Sequence, residues 1–597
     1  MQVATPLVLA SALLTVASET ASAPRSGPPR PEVFAPGQIS GPADVDSATF
    51  TPDGETVVFD RSLEGGSTIM ISHRRHGVWS RSVVAPFSGT WSDKDPAMAP
   101  DGSFLVFGSN RPPAAGGKPL DMVGADGAPH PGRGDQLWRV DRKAGGWGEP
   151  QRLPDVVNDG ARLYSPSVAA DGSVYFQKPV AGSRTYRLFR SQYRDGRYQA
   201  PTPVSIGPEG ADERDPAIAP DESFIVYSAN YAAEGAPDRL HIAFRLGDHW
   251  SPPADLGDAV NHDGAEGPHL GPDRAVYFDS GAPAQIGPTG QARPAWDHGN
   301  SHIWRLSLAP WLDRAPRLFA PEARWPAGTD ASPAFTPDGR TVVFTHSSGA
   351  GRTIIISHLR KGAWSKPEPA PFSGTWRDIE PAMAPDGSYL VFISNRPATA
   401  GGEALTGFWG GQSRPGAGGN IWRVDRHGGG WGKPVRLPDV VNSNSAIYSP
   451  AVAGDGSLYF NQPDPVTHKS HIYRAQKTAR GFEAPTALSI SDGTVGDFDA
   501  AVAPDESYLV FSSGRPPAKP DQPIAFITFQ RNGHWTAPEA LQPLVEGIEA
   551  RLSPDRTKLY VSTEAPRIDG PAEAAAPSRI FQVPFCGRAS CPEGRRP

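Results

Sequence analysis

Carboxyl and hydroxyl side chains recur in this sequence at one fixed place, three residues before a repeated phrase. In the first half this place holds Ser47, Asp95, Ser165, Asp215 and Gly267, with Glu266 adjacent, and in the second half Ser332, Glu380, Ser449, Asp499 and Glu549. Grouped carboxylates suit hard cations and hydroxyl donors. Paired acids at the correct separation also serve glycoside hydrolysis. The pattern predicts a polar site, provided that the fold brings these residues together.

The repeated phrase predicts a β-hairpin. PAMAPDGSFLVFGSNRP begins at Pro96, and the nearly identical PAMAPDGSYLVFISNRP begins at Pro381. Each consists of a short strand, a Pro-Asp-Gly turn and a second strand of aromatic and β-branched residues. With looser spelling, the phrase begins at Phe50, Met98, Val168, Ile218 and Leu270, and again in the same order at Phe335, Met383, Val452, Val502 and Leu552. The chain is therefore a tandem duplication of a five-repeat unit.

Each repeat continues beyond its hairpin into two further strands. LWRVDR from Leu137 is an example of the third strand, and GGWGEP around Trp147 opens the fourth. Four antiparallel strands per repeat are typical of a β-propeller blade. The segments EVFAP at Glu32 and RLFAP at Arg317 precede the two halves, and each would complete the last blade of its own half. We predict an all-β tandem β-propeller of two five-bladed rings, with a single ten-bladed ring as the alternative.

The hairpin with its following IWRV strand resembles the WD-repeat-like propeller repeats of TolB and related exported bacterial proteins. The resemblance covers nearly the whole chain after the N-terminal segment. Such propellers serve as binding platforms, as partners in cell-envelope assemblies and as attachments to peptidases or hydrolases, so the resemblance implies a fold more than a function. We expect a monomer whose partner is a glycan, a peptide or an envelope protein.

The two ends of the chain predict export. An apolar run followed by Ala21-Ser22-Ala23 is typical of a signal peptide over residues 1–23, which places the protein in the periplasm or outside the cell. A linker at 24–30, propellers at 31–312 and 313–586, and a tail at 587–597 complete the predicted domains. Cys586 and Cys591 would close a small disulfide loop in an oxidising compartment.

Composition and missing motifs argue against several function classes. The formal net charge of -7 gives no reason to expect nucleic acid, which requires clustered Lys and Arg. After the N-terminal segment, no run approaches the roughly 18 apolar residues that span a bilayer. The sequence contains no GxSxG, HExxH or GxxxxGK motif, and two cysteines alone cannot form a zinc site. We predict no cofactor, although a divalent cation at a channel mouth is an alternative.

The repeated position precedes the innermost strand of each blade, so its residues should line one mouth of a central channel. Our candidate ligand-binding residues are Asp95, Asp215, Glu266, Glu380, Asp499 and Glu549, with Arg111 and Arg396 of the Ser-Asn-Arg-Pro segments. The competing structural interpretation is that these acids cap backbone N–H groups or pair with those arginines. We assign no catalytic residue and expect a binding or interaction module. The alternatives are a glycoside hydrolase using Asp95, Asp215 and Glu266, and a scaffold with unused channels.

Overall fold

The computed structural model describes residues 30–562 and 579–585, apart from 65, 124–127, 161, 181–182, 184, 209, 232–236, 248, 262–263, 282–300, 321–327, 350, 410–411, 429, 519–522, 542–544 and 546. In these residues the only α-helices are the short segments Asp258–Asn261 and Ala309–Leu312. The predicted signal peptide and both cysteines lie outside the described residues, so export and the disulfide stay predictions.

Five antiparallel sheets in the first half share one strand order, which runs from an inner strand through a second and a third to short outer segments. Blade 1 comprises Val45–Phe50, Thr56–Leu63, Gly66–Arg75, Val78–Trp79 and Val83–Val84; blade 2 comprises Asp93–Met98, Phe104–Ser109, Gln136–Lys143, Gly146–Trp147 and Gln151–Arg152; blade 3 comprises Tyr164–Val168, Val174–Pro179, Tyr186–Ser191 and Thr202–Pro203; blade 4 comprises Asp212–Ile218, Phe224–Asn230, Arg239–Leu246, His249–Trp250 and Ala254–Asp255; blade 5 comprises Glu266–Leu270, Ala275–Ser280, His302–Ser307 and Glu32–Val33.

The second half repeats this order. Blade 6 comprises Thr329–Phe335, Thr341–Ser348, Gly351–Arg360, Ala363–Trp364 and Glu368–Pro369; blade 7 comprises Asp378–Met383, Tyr389–Ser394, Asn420–His427, Gly430–Trp431 and Val435–Arg436; blade 8 comprises Tyr448–Val452, Leu458–Pro463, Ser470–Ala475 and Thr486–Ala487; blade 9 comprises Asp497–Val502, Tyr508–Ser513, Ile524–Arg531, His534–Trp535 and Glu539–Ala540; blade 10 comprises Ile548–Leu552, Lys558–Ser562, Ile580–Pro584 and Arg317–Leu318. Two-stranded hairpins lie beside the blades at Met122–Val123 with Pro129–His130, Tyr193–Arg194 with Arg197–Tyr198, Gly407–Trp409 with Gln412–Arg414, and Lys477–Thr478 with Gly481–Phe482.

Each half closes on itself through a strand from its own N-terminal end. Glu32 lies opposite Arg305 in blade 5, and Arg317 lies opposite Gln582 in blade 10. The inner strands of blades 1 to 5 follow one another, and blade 5 lies against blade 1; blades 6 to 10 do the same. We call these two groups the first ring and the second ring. The all-β propeller prediction is confirmed by this strand order, whereas the predicted domain boundaries stay a prediction.

Phe34 fastens the closing strand of the first ring. Its ring packs edge-on against Phe50, Trp79 and Tyr277, with centroid distances of 5.6, 5.5 and 5.1 Å. Phe319 packs in the same way in the second ring, between blades 6 and 10. The closing segment therefore contributes both a strand and an aromatic anchor.

The Pro-Asp-Gly turns are built as the sequence predicts. The carboxylate of Asp53 accepts the backbone N–H of Glu55 at 2.9 Å, and that of Asp101 accepts the N–H of Ser103 at 2.9 Å. Such bonds to the residue two positions on are typical of aspartate in turns. Gly54 has a φ of +67°, which glycine adopts without steric cost.

The core lies between the blades, because the middle strands are covered on both faces. Val57 and Phe59 of blade 1 pack with Tyr277 of blade 5, whereas Val58 packs with Phe107 of blade 2. Successive side chains of a strand point to opposite faces, so this alternation sends neighbouring residues into different interblade cores. The continuous apolar runs of the second strands follow from this double covering.

Candidate functional site

The repeated polar position has one unusual backbone conformation in all ten blades. The φ angles of these residues lie between +48° and +60°, in Ser47, Asp95, Ser165, Asp215, Gly267, Ser332, Glu380, Ser449, Asp499 and Glu549. Each residue lies where the inner strand shifts register against the second strand, in a β-bulge. A left-handed conformation costs a non-glycine residue roughly 1–2 kcal/mol. The fold therefore holds nine non-glycine residues in strained conformations at the equivalent position of their blades.

In the first ring these bulge residues join neighbouring blades through hydrogen bonds. The Asp95 carboxylate accepts the N–H of Ser165 at 3.1 Å and the hydroxyl of Ser47 at 3.3 Å. The Asp215 carboxylate accepts the hydroxyl of Ser165 at 2.7 Å and the N–H of Gly267 at 3.4 Å. Both aspartates therefore have a structural role, whatever else they bind.

Two further carboxylates come from the second strands and also accept bulge N–H groups. Asp60 accepts the N–H of Asp95 at 3.3 Å, and Asp279 accepts the N–H of Ser47 at 3.1 Å. Asp60 lies directly opposite Asp46 in blade 1, and Asp279 lies directly opposite Glu266 in blade 5. The first ring thus contains two cross-strand pairs of acidic residues, and two ionised carboxylates placed in this way destabilise a sheet.

Burial makes these acids reluctant to ionise. It raises the pKa values of Asp60 and Asp279 well above their usual range, and the charge of Asp46 raises both further. The pKa of Asp215 is also raised, first by burial and then by the charge of Asp95. Desolvation and the charge of Asp215 raise the pKa of Glu266 to about 6, although its side chain reaches solvent at the start of the inner strand. We call Asp46, Asp60, Asp95, Asp215, Glu266 and Asp279 the first-ring acid cluster.

Two cations flank this cluster, and each has its own carboxylate partner. The ammonium of Lys94 lies 3.0 Å from Asp135, and the guanidinium of Arg214 lies 2.6 Å from Asp212. Each of these cations therefore forms an ion pair with a carboxylate that does not belong to the cluster.

The second ring uses the same interblade bonds with different acids. The Glu380 carboxylate accepts the N–H of Ser449 at 2.5 Å, and the Asp499 carboxylate accepts the Ser449 hydroxyl and, at 2.7 Å, the N–H of Glu549. The Glu549 carboxyl group accepts the hydroxyl of Ser332. Asp499 thus takes the place of Asp215.

Neutral residues in the second ring replace the like-charge pairs of the first. Ala331 lies opposite Thr345 where the first ring has Asp46 and Asp60, and the Thr345 hydroxyl accepts the N–H of Glu380 at 2.8 Å. Ile548 lies opposite Ser562 where the first ring has Glu266 and Asp279, and the Ser562 hydroxyl accepts the N–H of Ser332 at 3.4 Å. Hydroxyl groups therefore satisfy the same bulge N–H groups without added charge.

Two arginines also distinguish the second ring. Arg551 stands two residues after Glu549, where the first ring has His269, and Arg377 stands three residues before Glu380, where the first ring has Ser92. Burial and the charges of Glu380 and Asp499 raise the pKa of Glu549 to about 8, with Arg551 acting in the opposite direction. Burial lowers the pKa of His269 to about 4, so His269 is neutral at pH 7. We call Glu380, Asp499, Glu549, Arg377 and Arg551 the second-ring cluster.

The two candidate arginines bind other carboxylates than the predicted ones. Arg111 donates to Asp93 at 2.6 Å and to the carbonyl of Phe87 at 2.5 Å. Arg396 makes the equivalent bonds with Asp378 and the carbonyl of Phe372. The predicted pairing of these arginines with the bulge acids is therefore wrong. Asp93 and Asp378 lie two residues before the bulge, directly opposite the first serine of each Ser-Asn-Arg-Pro segment. Both arginines serve as interstrand clamps.

The structure thus brings five of the six predicted acids into two interblade hydrogen-bond networks, and the sixth, Glu266, lies opposite Asp279 beside the first of them. Their ligand-binding role stays a prediction. Sequence reasoning missed Asp46, Asp60, Asp279, His269, Arg377 and Arg551. A signal for them was present, since they differ between the two aligned halves, as in VVFD ending at Asp60 against VVFT ending at Thr345.

A lateral cavity of about 450 Å³ lies between blades 6 and 10. Its wall includes Phe335, Trp364, Tyr560 and Gln582. At the place of Gln582 the first ring has Arg305, which binds Asp273 at 2.8 Å and Glu32 at 2.9 Å.

Neither a metal-ligand group nor a membrane-spanning helix is present in the described part of the chain. It contains no group of three or more His, Cys, Asp or Glu side chains arranged to hold a metal ion. None of its helices is long and apolar enough to cross a membrane.

Strand order and closure define an all-β propeller protein. The chain matches no family model and none of the curated proteins. It is similar to the solved structures of TolB from Acinetobacter baumannii (14% identity, 70% of this chain and 79% of that chain, TM-score 0.24) and a putative TolB from Agrobacterium tumefaciens (15%, 44% and 92%, 0.24). Tricorn protease is also similar (14%, 90% and 56%, 0.24), and this chain spans little more than half of its length. TM-scores of this size carry no argument, so the propeller assignment rests on the sheets themselves.

Proposed function

We propose that this protein is an exported binding protein whose first ring recognises a cationic group at its channel mouth, such as the ammonium group of a peptide or protein. Export rests on the N-terminal segment with its Ala21-Ser22-Ala23 pattern. The binding site rests on the first-ring acid cluster.

The observation that carries the proposal is the contrast between the like-charge pairs of the first ring and their neutral counterparts. Asp46 opposite Asp60 costs stability, yet Ala331 opposite Thr345 supports the same bulge in the second ring. The fold therefore does not require these acids. Residues that are unfavourable for local stability and that the fold does not need are expected at functional sites.

A cation would relieve the strain that the cluster creates. Carboxyl groups with raised pKa values release protons when a positive charge approaches, and the attraction is stronger in a desolvated site than in water. An ammonium group has three N–H donors, which carboxyl oxygens of this cluster could accept together. An amine is favoured over a divalent metal because the described acids have no metal-binding arrangement.

The hydrolytic alternative has less support. Asp95 and Asp215 accept interblade hydrogen bonds and have counterparts in Glu380 and Asp499. A catalytic pair would be expected to break the symmetry of its scaffold, whereas these acids follow it. Binding by the acids that differ between the rings is the better account.

The test compares two pools of random pentapeptide amides without lysine or arginine, one with free amino termini and one acetylated, by equilibrium dialysis at pH 7. We expect the free-amine pool to bind and the acetylated pool not to bind. The informative variant carries the residues of the second ring, Asp46→Ala, Asp60→Thr and Asp279→Ser. It should lose at least tenfold in affinity while keeping its circular dichroism spectrum.

Glu149→Gln is the control, because it removes an exposed charge next to the outer strand Gln151–Arg152 of blade 2, whereas the bulges lie at the inner strands. Equal binding of both pools, or unchanged binding by the triple variant, would sink the proposal. Calcium or magnesium ions that bind in place of the amine pool would assign the mouth to a metal ion. Absence of binding by either pool and by either metal ion would favour a scaffold.

A further inference from the structure

Arg551 is a buried cation whose hydrogen bonds are largely unmade. Its side chain lies on the inner strand of blade 10, and the residue is only 6% exposed. Nη1 donates to the carbonyl of Ala550 at 2.8 Å, whereas Nε and Nη2 have no partner among the residues that the structure describes. Leaving donors of a buried charged group unsatisfied is costly.

The side chain faces the carboxylates of the second-ring cluster without binding them. Its charge lowers the pKa values of Glu380, Asp499 and Glu549, which come from blades 7, 9 and 10. The hydrogen bonds of these acids come instead from Ser449, Ser332 and the N–H of Glu549. The free Nε and Nη2 edge of Arg551 is therefore not used by the network that surrounds it.

Packing does not explain a large side chain here. The same place in the other blades holds small residues, namely Thr49, Ala97, Ser167, Ala217, Ala334, Ala382, Ala451 and Ala501. His269 in blade 5 is the one other large residue, and it is the counterpart of Arg551. The fifth blade of each ring thus carries a distinct polar group into its cluster.

We propose that the second ring binds a carboxylate group, such as the C-terminus of a peptide, through the Nε and Nη2 edge of Arg551. Two parallel N–H donors on one edge of a guanidinium match the two oxygens of a planar carboxylate. Arg377 adds a second positive charge, because its field acts on Glu380 and Glu549 as well. A phosphate dianion is disfavoured by the resident carboxylates, since repulsion grows with the ligand's charge.

The first ring is not equipped for this ligand. His269 replaces Arg551, Ser92 replaces Arg377, and the acids of the first-ring cluster repel a carboxylate. The inference is independent of the cationic ligand proposed for the first ring, because it rests on different residues.

The test uses two pools of N-acetylated pentapeptides, one with free C-terminal carboxylates and one amidated. Neither pool has a terminal amine, and lysine, arginine, aspartate and glutamate are omitted from both, so the first-ring proposal and side-chain carboxylates do not affect the result. We expect the carboxylate pool to bind by equilibrium dialysis at pH 7 and the amidated pool to bind at least tenfold more weakly.

Two substitutions probe the contact. Arg551→His installs the residue of the first ring and should abolish the preference for the carboxylate pool. Arg551→Lys keeps the charge without the paired donors, and should leave a preference at least threefold smaller than that of the unaltered protein. Glu149→Gln, which removes an exposed charge from blade 2, is the control and should leave the preference for the carboxylate pool unchanged.

Equal binding of both pools by the unaltered protein, or a preference that survives Arg551→His in a folded variant, would overturn the proposal. If Arg551→His does not fold, the proposal is tested by the Arg551→Lys variant and by the binding of the two pools to the unaltered protein.

Discussion

Asp46 and Asp60 lie directly opposite each other on neighbouring strands of blade 1, with the Asp60 carboxylate also accepting the N–H of Asp95 at 3.3 Å. In the second ring the opposed residues are Ala331 and Thr345. The equivalent bulge N–H group is therefore accepted by a carboxyl group in the first ring and by an uncharged hydroxyl group in the second. The second ring thus supplies the neutral counterpart with which the acids of the first ring can be compared.

The first prediction concerns the pH dependence of stability. The pKa values of Asp60 and Asp279 are raised in the folded protein, so the folded state holds more protons than the unfolded state once the pH exceeds about 4. Stability conferred by the protonated forms is lost as the pH rises. The variant Asp60→Thr, Asp279→Ser should therefore lose less stability than the unaltered protein between pH 5 and pH 8.

The sign of the difference is the prediction, and each pKa unit of displacement corresponds to about 1.4 kcal/mol. Urea denaturation at the two pH values measures the difference, and comparing the variant with the parent cancels groups common to both. Parallel pH profiles for the two proteins would show that these carboxyl groups titrate normally.

The second prediction separates the clamp arginines from the binding sites. Asp93 is fully buried, and Arg111 is its guanidinium partner at 2.6 Å. Arg111→Ala leaves an uncompensated buried acid and should cost about 3–5 kcal/mol in the free energy of unfolding. Removal of Arg139, whose side chain is 33% exposed, by Arg139→Ala should cost less, on the order of 1 kcal/mol, because its pair with Asp141 is screened by solvent.

Differential scanning calorimetry gives both values. Arg111→Ala should leave peptide binding intact wherever the variant remains folded, since the arginine acts inside blade 2. A loss of binding without a loss of stability would instead return Arg111 to the ligand site.

Sequence patterns could predict the hairpins, the duplication and the closing strands because each depends on short-range chemistry. Pro-Asp-Gly turns, alternating apolar residues and the matching segments at Glu32 and Arg317 are all local signals. The partner of Arg111 could not be predicted in the same way. A β-bulge at Asp95 shifts the register, so the residue that faces the arginine segment is Asp93, and spacing alone does not show a bulge.

Only some residues of the two clusters could be predicted from the sequence. Asp95 and Glu380 stand at the repeated position and could be read directly, but Asp60 and Asp279 enter from second strands. Their participation depends on the tertiary arrangement of neighbouring blades. Arg551 could be noticed only by comparing all ten blades at one position, where it interrupts a series of small residues.

The third prediction tests ring closure. Phe34 packs against three aromatic rings from blades 1 and 5, so Phe34→Ala removes the anchor of the closing strand. It should cost about 3–5 kcal/mol, as is usual for large aromatic residues in a core. Hydrogen exchange should accelerate first in His302–Ser307, the strand that pairs with Glu32–Val33.

Phe319→Ala is the counterpart and should expose Ile580–Pro584 instead. Phe408, which is 38% exposed, provides the control, and its replacement by alanine should leave exchange in both strands unchanged. Uniform acceleration over both rings after Phe34→Ala would contradict separate closure of the two rings.

The last prediction concerns the pH dependence of carboxylate binding in the second ring. Glu549 faces Glu380, Asp499, Arg551 and Arg377, and accepts the Ser332 hydroxyl; its pKa is raised to about 8 by burial and by the first two acids. Below that pH it is neutral, and above it a negative charge appears beside the ligand. Because a C-terminal carboxylate is ionised throughout, its affinity should fall by about tenfold between pH 7 and pH 9.

Glu549→Gln preserves the shape of the side chain and cannot ionise. We expect this variant to bind the carboxylate pool at pH 7 about as well as the unaltered protein and to keep that affinity at pH 9. Arg551 and Arg377 remain charged across this range, so they do not contribute to the change. An equal fall in affinity with pH in the Glu549→Gln variant would assign the titration to another group and remove Glu549 from the binding model.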